Sequence, residues 1–356
     1  MKKPTIPINI DNINHSYYFQ STNQINTPLT TNMELKNIAV LGPGGNVGNA
    51  LITELLKNPT RFNITAISRP TSSYTPPANS NIVAKGVDYN SLDALKEAFT
   101  GQDAIINCVT GGATQYDPSK LIIDATVAAG AKFYFANEFV GNIHSAQFLR
   151  LPEALTGAKV KIRAYLEGLA KEGKMNWTAL NGGPFFDMWL MKGPAGIDIP
   201  NRQARIYGTG DNLVYWTPLS TMAKTMTTML LNPEPVLNRA IYICPLLHTT
   251  QNKILATVEK VLDTKFTVTN VDVAKINKHA RIALERGETA KAMKGLTVST
   301  QFYEGDSGND LSGLVENELV GVEQLDLEDA VRQAMERWGM DTPVVQGLYM
   351  VDACEI

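Results

Sequence analysis

The chain has 356 residues, 44% of them hydrophobic and 19% charged, and its 32 basic and 35 acidic side chains leave a formal charge of −3. That is enough apolar material for one large domain or two joined ones and too much for whole-chain disorder, while the near-balanced charge offers no broad footprint for nucleic acid or an anionic membrane. Three scattered cysteines (Cys108, Cys244, Cys354) build neither a disulfide framework nor a thiolate metal site, and no apolar run approaches the roughly 18–20 residues of a membrane span, so a soluble cytoplasmic protein is expected.

Residues 1–33 differ from the rest: six asparagines (9, 12, 14, 23, 26 and 32) with Ser, Thr, Gln and Pro read as a polar, poorly ordered tail. From residue 36 strand and helix alternate. Lys36–Gly42 is an apolar run ending in glycine, a buried strand, and Asn46–Asn58 carries Val47, Leu51 and Leu55 on one helical stripe that Pro59 stops. Phe62–Ser68 and Val83–Val87 read as strands, and residues 91–101 as a helix capped by Asn90 or Ser91 and ended by Gly101. Asp103–Val109 is a strand, Lys120–Ala129 a crossover helix, Phe133–Ala136 a strand, Val160–Lys171 a helix and Trp177–Leu180 a sixth strand. Six alternations predict an α/β fold, a doubly wound parallel sheet, over residues 34–180. Beyond 181 the alternation degrades. A hairpin about Gly208 and Gly210 (204–217), helices at 221–231, 251–262, 274–286 and 327–338 and a strand at 240–244 suggest a smaller α+β substrate-binding domain, residues 181–356, partly interleaved with the sheet.

Between the first strand and first helix lies Gly42-Pro43-Gly44-Gly45-Asn46-Val47-Gly48. The spacing Gly-x-Gly-x-x-Gly fails because position 47 is Val, but Gly-x-x-Gly-x-x-Gly at 42, 45 and 48 fits. Side-chain-free backbone opening a helix suits a pyrophosphate, so an NAD(P)-binding Rossmann fold is expected. The end of the second strand reads Ile67-Ser68-Arg69-Pro70, without the carboxylate that would bind an NAD ribose. Arg69, aided by Ser68, can instead grip a 2′-phosphate, which selects NADPH as cofactor.

Tyr116-x-x-x-Lys120 matches the dyad of short-chain dehydrogenases, but with Pro118 inside it and a place just after a strand it is set aside. The four histidines (15, 144, 248, 279) show no metal spacing, so no metal is expected; His144, near a strand end, is either a substrate contact or a plain loop histidine. On the helix near residue 165, Ile162, Leu166 and Leu169 form the buried stripe with Tyr165 at one edge. Lys159 falls about 60° from Ile162 on the other edge, and Arg163 and Glu167 form an i, i+4 pair on the far side. Lys159 at the lip of an apolar stripe is partly desolvated and suited to proton exchange; the plainer reading is an amine snorkelling along the surface.

These motifs together resemble the NmrA-like and isoflavone reductase-like branch of the atypical short-chain dehydrogenases, its fungal members in particular. The loop GPGGNVG is similar to that branch's glycine loop, and Arg69 falls where its NADPH-selecting arginine lies. LIIDATVAAGAKFYFANEFVG (121–141) looks like its segment ending in Ser-Glu-Phe-Gly, KVKIRAYLEGL (159–169) like the helix that carries its catalytic lysine, and WTALNGGPFFDMWL (177–190) like its pocket loop. The likeness covers roughly residues 36–270, and it departs at Ala136-Asn137-Glu138-Phe139-Val140-Gly141 and at Ala164. By implication, Lys159 is the catalytic group, Val109, Thr110 and Gly111 line a ribose, and Asn137, Gly183, Pro184 and Phe185 flank the nicotinamide. The substrate is then walled by Phe185, Phe186 and Trp189. The resemblance implies an NADPH-dependent reductase of secondary metabolism acting on a conjugated, aromatic or polyketide-like small molecule. A cofactor-sensing relative that binds a protein partner without turnover, and a redox-neutral isomerase, dehydratase or cyclase, are the alternatives. A small-molecule substrate, no nucleic acid and no membrane are expected as partners, with a homodimer left open.

Overall fold

The computed structural model describes residues 33–304 and 308–356; the reading of residues 1–32, and of His15 among them, lies outside the described residues. In chain order the elements are β1 (Asn37–Leu41), α1 (Asn46–Leu55), β2 (Asn63–Ser68), β3 (Val83–Gly86), α2 (Leu92–Phe99), β4 (Ala104–Asn107), α3 (Tyr116–Ala128) and β5 (Phe133–Ala136). Two single-turn helices, α4 (Ala146–Leu149) and α5 (Glu153–Thr156), lead into α6 (Lys159–Lys171), β6 (Asn176–Asn181), α7 (Phe186–Lys192), β7 (Ile197–Asp198) and β8 (Gln203–Tyr207). Then come α8 (Leu219–Leu231), β9 (Arg239–Tyr242), α9 (Gln251–Leu262), β10 (Thr267–Val271), α10 (Val273–Glu285), α11 (Thr289–Phe302), α12 (Leu327–Trp338) and α13 (Gln346–Tyr349).

Strands β3-β2-β1-β4-β5-β6-β9 form a seven-stranded sheet in that order, every neighbour parallel. The strand order reverses between β1 and β4, the switch point at which such sheets bind nucleotides at the carboxyl ends of their strands. The two-residue pleat explains the layering. Ile38 and Val40 of β1 face a core built with α1 and α8, through Leu51, Leu55, Met222 and Met226. Ala39 and Leu41 face the opposite core, built with α2, α3 and α6 through Phe99, Ile122, Ile162 and Leu166. A third core gathers α7, β8 and α9 to α12 around Trp216, Ile254, Ile276, Phe302 and Val331.

Three expectations are corrected. First, residues 204–217 are no hairpin: β8 pairs antiparallel with β7 and parallel with β10, and residues beyond Gly208 make only isolated bridges. The turn at Gly208 and Gly210 is held instead by other elements, since Asn252 Nδ2 donates to the Thr209 carbonyl (2.9 Å) and the Thr209 hydroxyl bonds to Glu304. Second, the crossover helix α3 begins at Tyr116, so the Tyr116/Lys120 pair does lie on a helix. Lys120 nevertheless pairs with Asp124 (2.6 Å) and lies over the Tyr165 ring. Third, Arg163 is not on a solvated face with Glu167; it is 5% exposed and bound to Glu138.

Among the described residues no helix is long and apolar enough to cross a membrane.

Candidate active site

At the switch point Gly42 leaves β1 with φ +72°, its N–H donating to the Ile67 carbonyl (3.1 Å). A Cβ there would lie 2.7 Å from the Cys108 carbonyl oxygen, and one on Gly48 would lie 2.3 Å from the Gly42 oxygen, so the turn itself requires both glycines. Gly44 and Gly45 are different: an added Cβ would make only ordinary contacts, with Tyr74 at 3.5 Å and with the Gly42 oxygen at 3.4 Å. The protein's own packing does not demand their bareness. Approach of a ligand to the backbone would. Gly45 caps α1 without a side-chain bond and no acid stands in the first turn, so the helix offers free N–H groups and the positive end of its dipole. The donor set therefore fits the pyrophosphate of a dinucleotide.

Ser68 ends β2 half-buried, and Arg69 beyond it is exposed, its side chain in no hydrogen bond or ion pair with described residues. It lies close enough to Tyr89 to pull against the burial that pushes that phenol up to about 12.

A cleft of about 600 Å³ runs along the strand ends, and its walls bring together Asn46, Val47, Thr110, Gly111, Asn137, Lys159 and Phe185. Lys159 is the first residue of α6, and its ammonium donates to the Asn137 backbone carbonyl (3.1 Å) and reaches Asn137 Oδ1 (3.5 Å). Asn137 is fixed in turn by Nδ2 donating to the Val109 carbonyl (2.6 Å), which ties the end of β5 to that of β4. Burial drives the Lys159 amine down to about 8, with the Glu138 carboxylate pulling the other way.

Beneath lies a network that sequence patterning missed. Glu138, 3% exposed, takes both arms of the Arg163 guanidinium, Nε at 2.8 Å, and accepts from Asn181 Nδ2 at 2.6 Å. Arg163 also donates to the Tyr242 hydroxyl (3.2 Å). The Glu138–Arg163 pair thus joins α6 to the carboxyl ends of β5, β6 and β9.

Against the cleft lies a second cavity, about 260 Å³, lined by Phe139, Phe148, Leu155, Phe185, Trp189 and Gln301 among others. Gly183 and Pro184 also line it; Gly183 has φ +67° and no room for a Cβ, which would sit 1.9 Å from the Tyr215 oxygen. Phe139 and Phe185 belong to both cavities. Phe139 is held at φ +46°, a strained conformation for an aromatic residue, by its N–H bond to the Leu180 carbonyl (3.1 Å). Two expected wall residues are elsewhere. Phe186 is 0% exposed, turned from the loop into the third core because it opens α7, and His144 is an exposed loop residue outside both cavities. No sequence signal marks Phe139 as left-handed, nor Leu155 and Thr156, which a single-turn helix supplies. Gln301 comes from α11, which the sequence does not announce. No group of metal-ligating side chains occurs among the described residues.

The family model described as NAD(P)H-binding matches residues 42–194. The oxidoreductase aprR of Aspergillus flavus is 29% identical over 250 residues, 70% of this chain and 80% of that protein. The NmrA-like family domain-containing oxidoreductase ptmS of Penicillium ochrochloron is 31% identical over 108 residues, 27% of this chain and 32% of that one. Among solved structures, an isoflavone reductase superposes with TM-score 0.66 at 20% identity over 84% of this chain and 99% of that one. The NADPH-dependent quinone oxidoreductase of Escherichia coli, complexed with NADPH, does so with TM-score 0.62 at 20% identity over 83% and 99%. At such identities the superpositions establish the fold.

Proposed function

We propose that this chain, which is similar to NmrA-like and isoflavone reductase-like oxidoreductases, is an NADPH-dependent reductase of conjugated, aromatic or polyketide-like small molecules, with Lys159 handling the proton. One observation carries the reading: a desolvated amine, set down to about 8, stands in the wall of a dinucleotide cleft that shares Phe139 and Phe185 with an apolar cavity. A sensor that only grips cofactor has no use for such an amine.

Residues 34–180 serve as the cofactor lobe and 181–356 supply the substrate side. Gly44, Gly45 and the first turn of α1 hold the pyrophosphate, Arg69 and Ser68 the 2′-phosphate, and Thr110 and Gly111 the ribose; Asn137, Gly183, Pro184 and Phe185 stand beside the nicotinamide. NADPH, when bound, supplies the hydride. As hydride adds to an electrophilic carbon, the π pair moves to the conjugated oxygen, and the Lys159 ammonium gives that oxygen a proton. The neutral amine left behind keeps its place through the Asn137 carbonyls and regains a proton from water. Phe139, Phe185 and Trp189 exclude bulk water, which strengthens the charge interaction at the developing oxyanion. Three unpaired cysteines accord with a cytoplasmic setting.

Lys159→Ala tests the assignment. NADPH affinity, followed by cofactor fluorescence, stays within about twofold, while kcat on an accepted enone or quinone falls about 10²-fold or more. Turnover that survives the change removes Lys159 from the mechanism.

A further inference from the structure

Among the described residues that line the 260 Å³ cavity there is no Asp, Glu, Lys, Arg or His. Burying a charge in such walls is costly, so its occupant is neutral. The polar group that matters is the Gln301 carboxamide, on a residue 8% exposed. Its orientation is set from behind: Trp216 Nε1, which can only donate, bonds to Gln301 Oε1 at 3.0 Å. Trp216 is itself locked, 1% exposed, with its ring edge-on to Phe302 and tilted against Trp189. Gln301 Nε2 then has no hydrogen bond among the described residues. The other polar side chains on this wall are turned inward, Thr297 donating to the Met293 carbonyl (2.9 Å) and Thr300 to that of Leu296 (2.6 Å).

We infer that Gln301 is a specificity-determining residue that donates through Nε2 to an acceptor oxygen, a carbonyl or ether, on a neutral aromatic substrate of about two fused rings. This rests on the oxidoreductase reading and narrows it to substrates with an uncharged acceptor at the end away from the reacting carbon. A site with a fixed donor discriminates against analogues that leave the donor unpaired.

Equilibrium titration of the NADP+-saturated protein tests this without turnover, with Trp fluorescence as readout and three probes: 2-acetylnaphthalene (neutral acceptor), naphthalene (no acceptor) and 2-naphthoate (charged). The ketone should bind about tenfold tighter than naphthalene, and the carboxylate weaker than both. Gln301→Leu should bring the ketone-to-naphthalene ratio close to one with NADP+ affinity unchanged. Gln301→Met keeps the side chain's length and removes the donor, so it should do the same even if the leucine variant folds poorly. A ratio unchanged in both variants, or a carboxylate that binds as tightly as the ketone, overturns the assignment. So does failure of all three probes to bind a wild-type protein whose NADP+ titration is normal; a failed NADP+ titration counts instead against the cofactor reading.

Discussion

Lys159 is held with its proton at a pH where it can part with it, and the sign of its pH dependence follows. The amine is protonated below about 8 and neutral above. In the proposed mechanism reduction needs the ammonium, so kcat/KM for reduction should be flat at neutral pH and fall about tenfold per pH unit above 8, while the reverse oxidation rises through the same window. Glu138 opposes the burial, so Glu138→Gln should move both limbs to lower pH; limbs that stay in place would detach the carboxylate from the amine. Just past the end of β2, the exposed Arg69 has no hydrogen-bond or ion-pair partner to lose among the described residues. Arg69→Asp should weaken NADPH by about 10- to 100-fold, the scale of a charge-assisted bond or two, and leave NADH nearly unaffected; an unchanged NADPH/NADH ratio in fluorescence titrations would refute the assignment. Lys159 was legible in the sequence because helical periodicity fixes angles around an axis. The same wheel put Arg163 on a solvated face. It could not show that Glu138, 25 residues earlier, would meet that guanidinium where strand ends converge.

Among the elements, the phosphate loop separates two kinds of glycine. Gly48→Ala drives a Cβ into the Gly42 carbonyl and should lower the thermal midpoint by several degrees. Gly44→Ala meets only Tyr74 at van der Waals distance, so it should leave the midpoint within about two degrees yet weaken NADPH at least tenfold, a contrast read by scanning calorimetry and cofactor titration on the same samples. Helix α6 is pinned by the Arg163–Glu138 pair. Arg163→Met strands a buried carboxylate and should cost about 3–5 kcal/mol in urea denaturation, whereas adding Glu138→Leu should recover part of that; equal losses in the single and double variants would show the pair to be energetically idle. β1, α1, β5, α6 and β6 were readable because continuous apolar runs and helical stripes bounded by Gly or Pro report both faces of a covered parallel sheet. α11 was not: Thr297, Ser299 and Thr300 have weak helical preference, and tertiary packing against α10 overrides it.

Over the whole molecule, the chain does not finish the nucleotide-binding sheet before it builds the rest. After β6 it leaves to form α7 and the β7–β8 pair, then returns with α8 against α1 and with β9 as the seventh strand. This weave places Phe185, Trp189 and Gln301 beside the strand end that carries Asn137 and the helix start that carries Lys159. The cofactor half could be read because strand–loop–helix order is a local signal; on the substrate side only Gly183, Pro184, Phe185 and Trp189 could be, because the other walls come from separated segments that only the fold assembles. The central claim is that bare glycines and Arg69, unpaired among the described residues, make this sheet a site for a phosphorylated dinucleotide. Isothermal titration calorimetry with NADPH and NADH measures it directly: the account predicts one site per chain, with NADPH tighter than NADH by at least about tenfold. Equal affinity for the two, or no heat with either, would contradict it.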